Sequence, residues 1–569
     1  MHGLNASMIP ALEKGAPLLT PDATLKGMRN LRTQSSDSWK MYGAGKDPAQ
    51  LRNLMRKLAA RISREPFHGS DDNPNIPSGY TYLLQFIAHD MVNTSISLAA
   101  TDGRRFGFEN ARQQPLMLDT IYGGGPDVSP QAYEYSRLCR EKRGSMPRTR
   151  LRCGRAQNRS GSTNGMPFAD IGRAVPRDVS DTGISSGADF AQCPRTEALV
   201  ADARNDDQAL IAQITALFHR LHNFILEQVD ASRPPETASD AYRNFICARF
   251  VLTLIYRKII LNDVLYRLLD PSVIRYYIVE EKPLVFVEKN GSIPVEFSHG
   301  AFRCGHAMIR NSYRVSSDNE LETSAAMQLS SRRSPAFVPL TEDWIIKWDR
   351  FFDMGTATAP NYSRRLAPNF APIARSEFFF PPLVAPGSGH GDGDGDAAGL
   401  PSRDLVSAIY AGIWSVPKLI DMLRAKSPEI ANFLPAYGEY AGPLAAWLNA
   451  TTDSNSLSER FGPGDVSALL EDPPFPFFVL FEAQHRQAGQ RLGPLGSIIV
   501  AETILGAMQF YPLQVETLVF DHGHDFKAQI ELLTRLGVRE PALSIVPEIE
   551  SMEDLLMFMQ KHEILTEDR

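Results

Sequence analysis

Along much of the 569-residue chain, apolar residues return every three or four positions, the pattern of helices with one buried face. The longest such stretch is DDQALIAQITALFHRLHNFILEQV, where Leu210, Ile214, Leu217, Leu221, Phe224 and Ile225 predict a long, largely buried helix. AYRNFICARFVLTLIYRKIILNDVLYRLL, AFRCGHAMIRNSY, RDLVSAIYAGIW, PFFVLFEAQHRQAGQRL and GSIIVAETILGAMQFY read the same way. Strict alternation is rare, and YYIVEEKPLVFVEKNGSIPVEF is the best candidate hairpin. The expected fold is therefore mainly α, with few short strands. The period lapses between Tyr133 and about Val200, where Arg, Ser and Gly accumulate, and PGSGHGDGDGDAAGLP reads as a low-complexity surface loop. Because the helical pattern resumes after each excursion and no repeat is evident, the reading is one large helical domain, 70–510, with long irregular loops. Residues 1–69 form an N-terminal extension packing on that core, and 511–569 a C-terminal helical one. Within the latter, EIESMEDLLMFMQKHEILTEDR is an amphipathic closing helix that either packs on its own domain or meets a partner.

Some polar residues interrupt the apolar faces. In YLLQFIAHDMV, on a helix read from Tyr80 to Val92, Gln85 and His89 are four apart and share a face, while Asp90 points about a hundred degrees away. One helix then serves two sites; the alternative is that His89 is a core histidine satisfied by hydrogen bonds. AFRCGHAMIRNSY places Arg303 one turn before His306, with Arg310 four residues beyond it. A buried histidine flanked by arginines suits an axial iron ligand beside anionic propionates, or a structural His and Arg at helix ends. ADARNDDQAL puts Arg204 just ahead of the long helix and Asp207 in its first turn, where an acidic residue also serves as a plain cap. DHGHDF, with His522, His524 and Asp525, has metal-binding spacing but no further His or Cys nearby, so a solvated turn is the simpler reading.

Composition narrows the class. At 43% hydrophobic and 22% charged the chain is an ordinary globular protein, and a net charge of −7 gives no nucleic-acid footprint. Neither a basic leader with an apolar core nor a run of about 18 apolar residues is found, so no signal peptide or membrane span is expected. Five cysteines (Cys139, Cys153, Cys193, Cys247 and Cys304), widely spaced and without a CxxC pair, argue against a disulfide framework and for a reducing cytoplasm.

The polar stretches, taken with LDTIYGGGP, DWIIKWDRFFDMG, NYSRRL and FEAQHRQAGQRLGPLGSIIVAE, resemble the animal-type haem peroxidase superfamily, in particular its bacterial, myeloperoxidase- or peroxinectin-like members, over roughly residues 70–510. The resemblance implies haem b as cofactor, His89 as distal histidine, Gln85 as a distal polar residue, Arg204 as distal arginine, and His306 as the axial iron ligand with Arg303 beside it. It implies an enzyme that takes hydrogen peroxide, passes through an oxyferryl intermediate, and oxidises a small organic or (pseudo)halide substrate. His219, His222 and Asn223 match a stretch that serves packing and hydrogen bonding, and no catalytic role is assigned to them.

The sequence also departs from that pattern. Ala88 stands where members with covalent haem carry an acidic residue, Asp207 fits the second ester position with a short arm, and Gln208 replaces the methionine of a sulfonium link, so the haem is expected to be mostly non-covalent. A calcium site would use Asp90 and Asp119, but Met117 stands where a further carboxylate is expected. Asp404 aligns with an asparagine that reaches the axial histidine; the alternative is an ordinary helix cap. Tyrosine-dependent fatty-acid dioxygenases of the superfamily use a tyrosine three residues before the axial histidine, and here that residue is Arg303. Tyr313 reads as packing. The runners-up are a dioxygenase-like or biosynthetic oxidase and, in another class, a haem-binding sensor without turnover.

Overall fold

The computed structural model describes residues 29–31, 41–62, 71–93, 108–112, 114–141, 145–174, 197–287, 292–331, 338–380, 399–450, 461–510, 526–535 and 537–565. DHGHDF up to Asp525, Cys193 and most of the Gly/Asp-rich loop lie outside them. The chain is 55% helical with few short strands, the mainly α fold that the periodicity predicts. The helices that frame the site are α1 (Pro48–Ile62), α2 (Gly79–Met91), α3 (Ala209–Ser232), α4 (Ala238–Ile259), α5 (Leu400–Ala411), α6 (Phe475–Gln487), α7 (Pro494–Phe510) and α8 (Met552–Lys561). The strands of the described residues pair only two by two, as in Asp72–Pro77 with Tyr362–Arg364.

Helix α2 threads the core and is buried along almost its whole length. Its entry is tight: a Cβ on Gly79 would lie 2.4 Å from the Phe352 ring, so only glycine lets the 351–352 backbone approach. The first amides then find acceptors, Ser78 N–H donating to Asn361 O at 2.7 Å and Gly79 N–H to Phe351 O at 2.8 Å. Phe86 stacks on Phe218 at 4.8 Å and locks α2 against α3. Helix α3 packs antiparallel-fashion into α4 through a short connection closed by a Thr237–Asp240 capping box. The periodic run of α4 continues through a π turn, Ile260–Val264.

Two expectations need correction. The candidate hairpin at 276–297 does not form: Arg275–Val279 is a π turn and Val295–Ser298 a short helix. The reason is Glu502 on α7, whose buried carboxylate accepts from the amides of Val285, Phe286 and Val287, using donors that a strand ladder would need. The AFRCGHAM segment is a 3₁₀ helix, Ala301–Met308, and the chain then enters a hairpin, Ser312–Arg314 with Glu320–Glu322. Arg310 therefore leaves the His306 face and binds Asp72 and the Tyr362 carbonyl.

The closing helix packs on its own chain. Phe558 of α8 meets Phe224 of α3 at 5.8 Å, and Arg220 donates to the Leu565 carbonyl. Glu553 joins Asp263, Tyr80 and Arg267 in a buried polar knot that ties α8 to α2. No helix of the described residues is long and apolar enough to cross a membrane.

Candidate active site

Between α2 and the 301–308 turn lies a cavity of about 400 Å³. Gln85, His89, Arg204 and Asp207 line one side; Arg303 and His306 line the other. Residues read from three separate stretches thus meet around one space.

On the α2 wall, His89 is buried and its Nδ1 lies 2.9 Å from Asn205 Oδ1. The Asn205 amide nitrogen donates to the Thr120 carbonyl, which only accepts, so the amide oxygen must face the ring. Nδ1 therefore carries the proton, and Nε2 is left as a lone pair with no protein partner among the described residues. Burial, and next to it the Arg204 charge, pushes the His89 pKa down to about 3, so the ring is neutral near pH 7.

Arg204 is more committed than the sequence suggests. Its guanidinium donates to the Val92 and His89 carbonyls, both at 2.8 Å, and pairs with Asp202 at 2.6 Å. Arg112 adds a second donor to the His89 carbonyl and a second partner for Asp202. The pair caps the C-terminal end of α2, where cations are favoured, and one Arg204 Nη1 hydrogen remains uncommitted. Burial opposes charge on Asp202, but the two arginines overcome it and hold the carboxyl well below its usual range.

Asp207 lines the cavity yet precedes α3 rather than lying in its first turn. The cap is Gln208, whose side-chain oxygen accepts from the Leu210 and Ile211 amides while its nitrogen donates to Gln85 Oε1 at 3.2 Å. Gln85 is thereby held facing the cavity from α2.

The opposite wall is built on three-residue spacing. In a 3₁₀ helix residues i and i+3 eclipse, so Arg303 and His306 stand one above the other. Asp404 on α5 meets both: Oδ1 accepts from Arg303 Nη1 at 2.9 Å and Oδ2 from His306 Nδ1 at 2.8 Å. It is no plain helix cap. Burial pushes the Asp404 pKa up, but His306 and then Arg303 pull it down by more, leaving a carboxylate. With Nδ1 engaged, His306 presents Nε2, and Arg303, anchored by the Ser298 carbonyl, keeps its Nη2 free of protein acceptors among the described residues.

These residues fit a haem. A neutral imidazole nitrogen and a guanidinium are the donors that an iron and a propionate require. Gly305, on the cavity wall beside His306, adds a second sign: a Cβ there would meet nothing within 4 Å, so packing does not explain the missing side chain.

The residues do not fit calcium. Asp90 is filled by the Leu118 and Thr120 amides, and Asp119 pairs with Arg249 at 2.9 Å. The carbonyls of the 116–118 turn, where Leu116 and Leu118 have positive φ, also face arginine: Leu116 O accepts from Arg257 and Met117 O from Arg249. Calcium needs six to eight oxygens, and here guanidinium and amide N–H groups hold them. Among the described residues no three His, Cys, Asp or Glu side chains gather as a metal group.

Residues 153–354 match the animal haem peroxidase family. The matched segment carries Arg204, Arg303 and His306; Gln85, His89 and Asp404 lie outside it and reach the site only through the fold. No curated protein matches the chain. Among solved structures, peroxidase A of Dictyostelium discoideum matches with TM-score 0.51 and 13% identity, over 92% of this chain and 97% of that one. The fatty acid alpha-dioxygenase of Arabidopsis thaliana matches with TM-score 0.57 and 13% identity, over 98% and 81%. That of Oryza sativa gives 0.52 and 12%, over 99% and 87%. At such identities the likeness is one of fold, and peroxidase and dioxygenase share it.

Sequence reasoning passes over Asn205, which fixes the His89 tautomer, and reads Gln208 only as the residue in place of a sulfonium-forming methionine, not as the holder of the Gln85 rotamer. Their neighbours carry the charge that draws attention, and glutamine is not among the residue types that mark a helix start, so its capping of α3 shows only in the structure. His219, His222 and Asn223 bind the 149–152 backbone and stay away from the cavity, in keeping with a packing role.

Proposed function

We propose that this protein is a haem-dependent peroxidase that consumes hydrogen peroxide and oxidises a small organic or (pseudo)halide substrate. The observation that carries the reading is the pair of histidines on opposite walls of one cavity, each with Nδ1 engaged and Nε2 presented. Haem b bound there would supply a redox-active iron, and His306 Nε2, with Arg303 toward a propionate, would hold it. Ala88 offers no ester and Asp207 has a short arm, so the cofactor would be held mostly without covalent links.

His89 Nε2 takes the proton of incoming peroxide and returns it to the departing oxygen as water. Its low pKa makes the protonated ring a ready acid, so the proton is passed on rather than kept. Gln85, fixed by Gln208, supplies a polar contact beside that path. Arg204 stabilises developing negative charge through its remaining N–H and through its field. Asn205 keeps the ring in the tautomer that leaves Nε2 open.

Tyrosine-dependent lipid oxygenation is the second reading, favoured by the dioxygenase folds among the structural matches. It needs a tyrosine where Arg303 stands. Tyr82 lines the cavity and bonds Tyr313 at 3.0 Å, but it lies on α2, the His89 side. The deciding experiment is stopped-flow mixing of the haem-loaded protein with hydrogen peroxide, for the wild type and His89→Ala. Rapid loss of the ferric spectrum, slowed in the variant, is expected; haem uptake without a peroxide reaction would point to a sensor or carrier, and no uptake would end the reading.

A further inference from the structure

The knot beneath the closing helix needs one hydrogen more than two ionised acids would leave it. Tyr80 Oη on α2 lies 2.6 Å from Asp263 Oδ2 and 2.8 Å from Glu553 Oε2, and a phenol has a single hydrogen to give. With both carboxyls ionised, one of these contacts would be oxygen against oxygen with no hydrogen between them. One acid therefore carries a proton. Asp263 is the better-stabilised carboxylate, since its Oδ1 accepts from Arg267 Nε at 2.5 Å and its Oδ2 also accepts from the Met552 amide at 3.0 Å. Glu553 Oε1 accepts from Arg267 Nη2 at 2.9 Å, while Oε2 faces the phenol oxygen. The proton thus sits on Glu553 Oε2 and is donated to Tyr80, whose own hydrogen goes to Asp263.

We propose that this proton makes the docking of α8 on α2 a pH-sensitive clasp, closed while Glu553 is a neutral acid and loosened when it ionises. The groups that face Glu553 are Tyr80 of α2, Asp263 of the π turn and Arg267 just beyond it, so ionisation leaves two buried carboxylates to one guanidinium. That guanidinium already spans both acids and lies over the Tyr80 ring at 4.6 Å. Burial, and next to it Asp263, raises the Glu553 pKa above its ordinary 4.5. The clasp is therefore at full strength below that ordinary value, weakens as pH rises above it, and has lost this contribution once pH passes the raised value. Tyr80 stands in the first turn of the helix that carries Gln85 and His89, so release of Glu553 frees the entry of α2. The inference does not depend on what fills the cavity.

The test is amide hydrogen exchange of the 552–561 stretch in the full chain, wild type against Glu553→Gln, compared at matched pH so that the intrinsic exchange chemistry cancels. A glutamine reproduces the neutral acid, its amide donating to Tyr80 Oη and its oxygen accepting from Arg267. From about pH 5 to about pH 9, wild-type α8 should lose protection relative to the variant, by up to about tenfold per pH unit until Glu553 is ionised. A ratio that stays constant across that interval would overturn the proposal. A second readout is the infrared difference spectrum of the two proteins at about pH 5.5, where an ordinary glutamate is mostly ionised. It should show a carboxylic acid C=O band in the wild type that the variant lacks, and its absence would also overturn the proposal. Should the variant fail to fold, the wild-type ratio of exchange in 552–561 to exchange in α3 decides on the same terms: a rise with pH supports the clasp, and a flat ratio ends it.

Discussion

The two walls of the cavity use the same residue for different work. On α2, His89 is buried, bonded to a neutral amide and strapped from behind by two arginines that hold its own carbonyl. On the 3₁₀ turn, His306 is partly open to the cavity and bonded to a carboxylate. Burial and positive neighbours make the first ring neutral and slow to hold a proton; the second ring hands its Nδ1 hydrogen to a negative partner. Burial and charge set the protonation of the first ring, while the atom on each far nitrogen fixes which nitrogen faces the cavity, and that partner can be exchanged by single substitutions.

The largest effect should come from removing the α2 ring. His89→Ala is expected to slow the reaction with peroxide by about 10²–10⁴-fold, the usual contribution of a positioned acid–base group, read from stopped-flow rate constants. Loss of the buried Arg249–Asp119 pair behind that wall comes next. Arg249→Ala should cost about 3–5 kcal/mol of stability in urea unfolding, because it strands a buried carboxylate. A chelator, by contrast, should leave the wild-type melting temperature unchanged; a clear drop in EGTA would refute guanidinium as the local cation.

A sharper test makes one wall imitate the other. The peroxide reaction uses unprotonated His89, and its pKa of about 3 predicts a rate constant flat from pH 8 to roughly 4.5, falling only below that. Asn205→Asp should place a carboxylate on Nδ1, stabilise the protonated ring and raise that pKa toward the ordinary 6.5. The acid limb of the profile should then move upward, with activity lost as pH falls through the new value. An unmoved limb would mean that the Nδ1 partner does not govern this ring. The smallest effect is expected for Gln208→Glu, which keeps the cap on α3 but removes the amide donor to Gln85, and should change the peroxide rate by only a few-fold.

The helices were readable where a buried face repeats over many turns, as in α2 and α3, and the polar residues that break those faces are the ones around the cavity. His89 and His306 stand out because their type is costly to bury without a purpose, whereas Asp404 is legible only through the family resemblance. Asn205 could not: it is neutral, and the ring it serves is 116 positions away. The 276–297 stretch misleads for a related reason. Its Val, Ile, Tyr and Phe content suits a strand, yet Glu502, more than two hundred positions on, takes its amides. Local pattern reports which faces are apolar, not which distant polar atom will complete a loop.

Gly305 carries one more consequence. A Cβ there would meet no other side chain within 4 Å, so a small substitution has room on the protein side. Gly305→Ala should therefore narrow the chamber it lines while leaving the surrounding turn in place, producing a built but constricted vessel. Such a decoy separates whatever the polypeptide does as a shape from whatever it does as a catalyst.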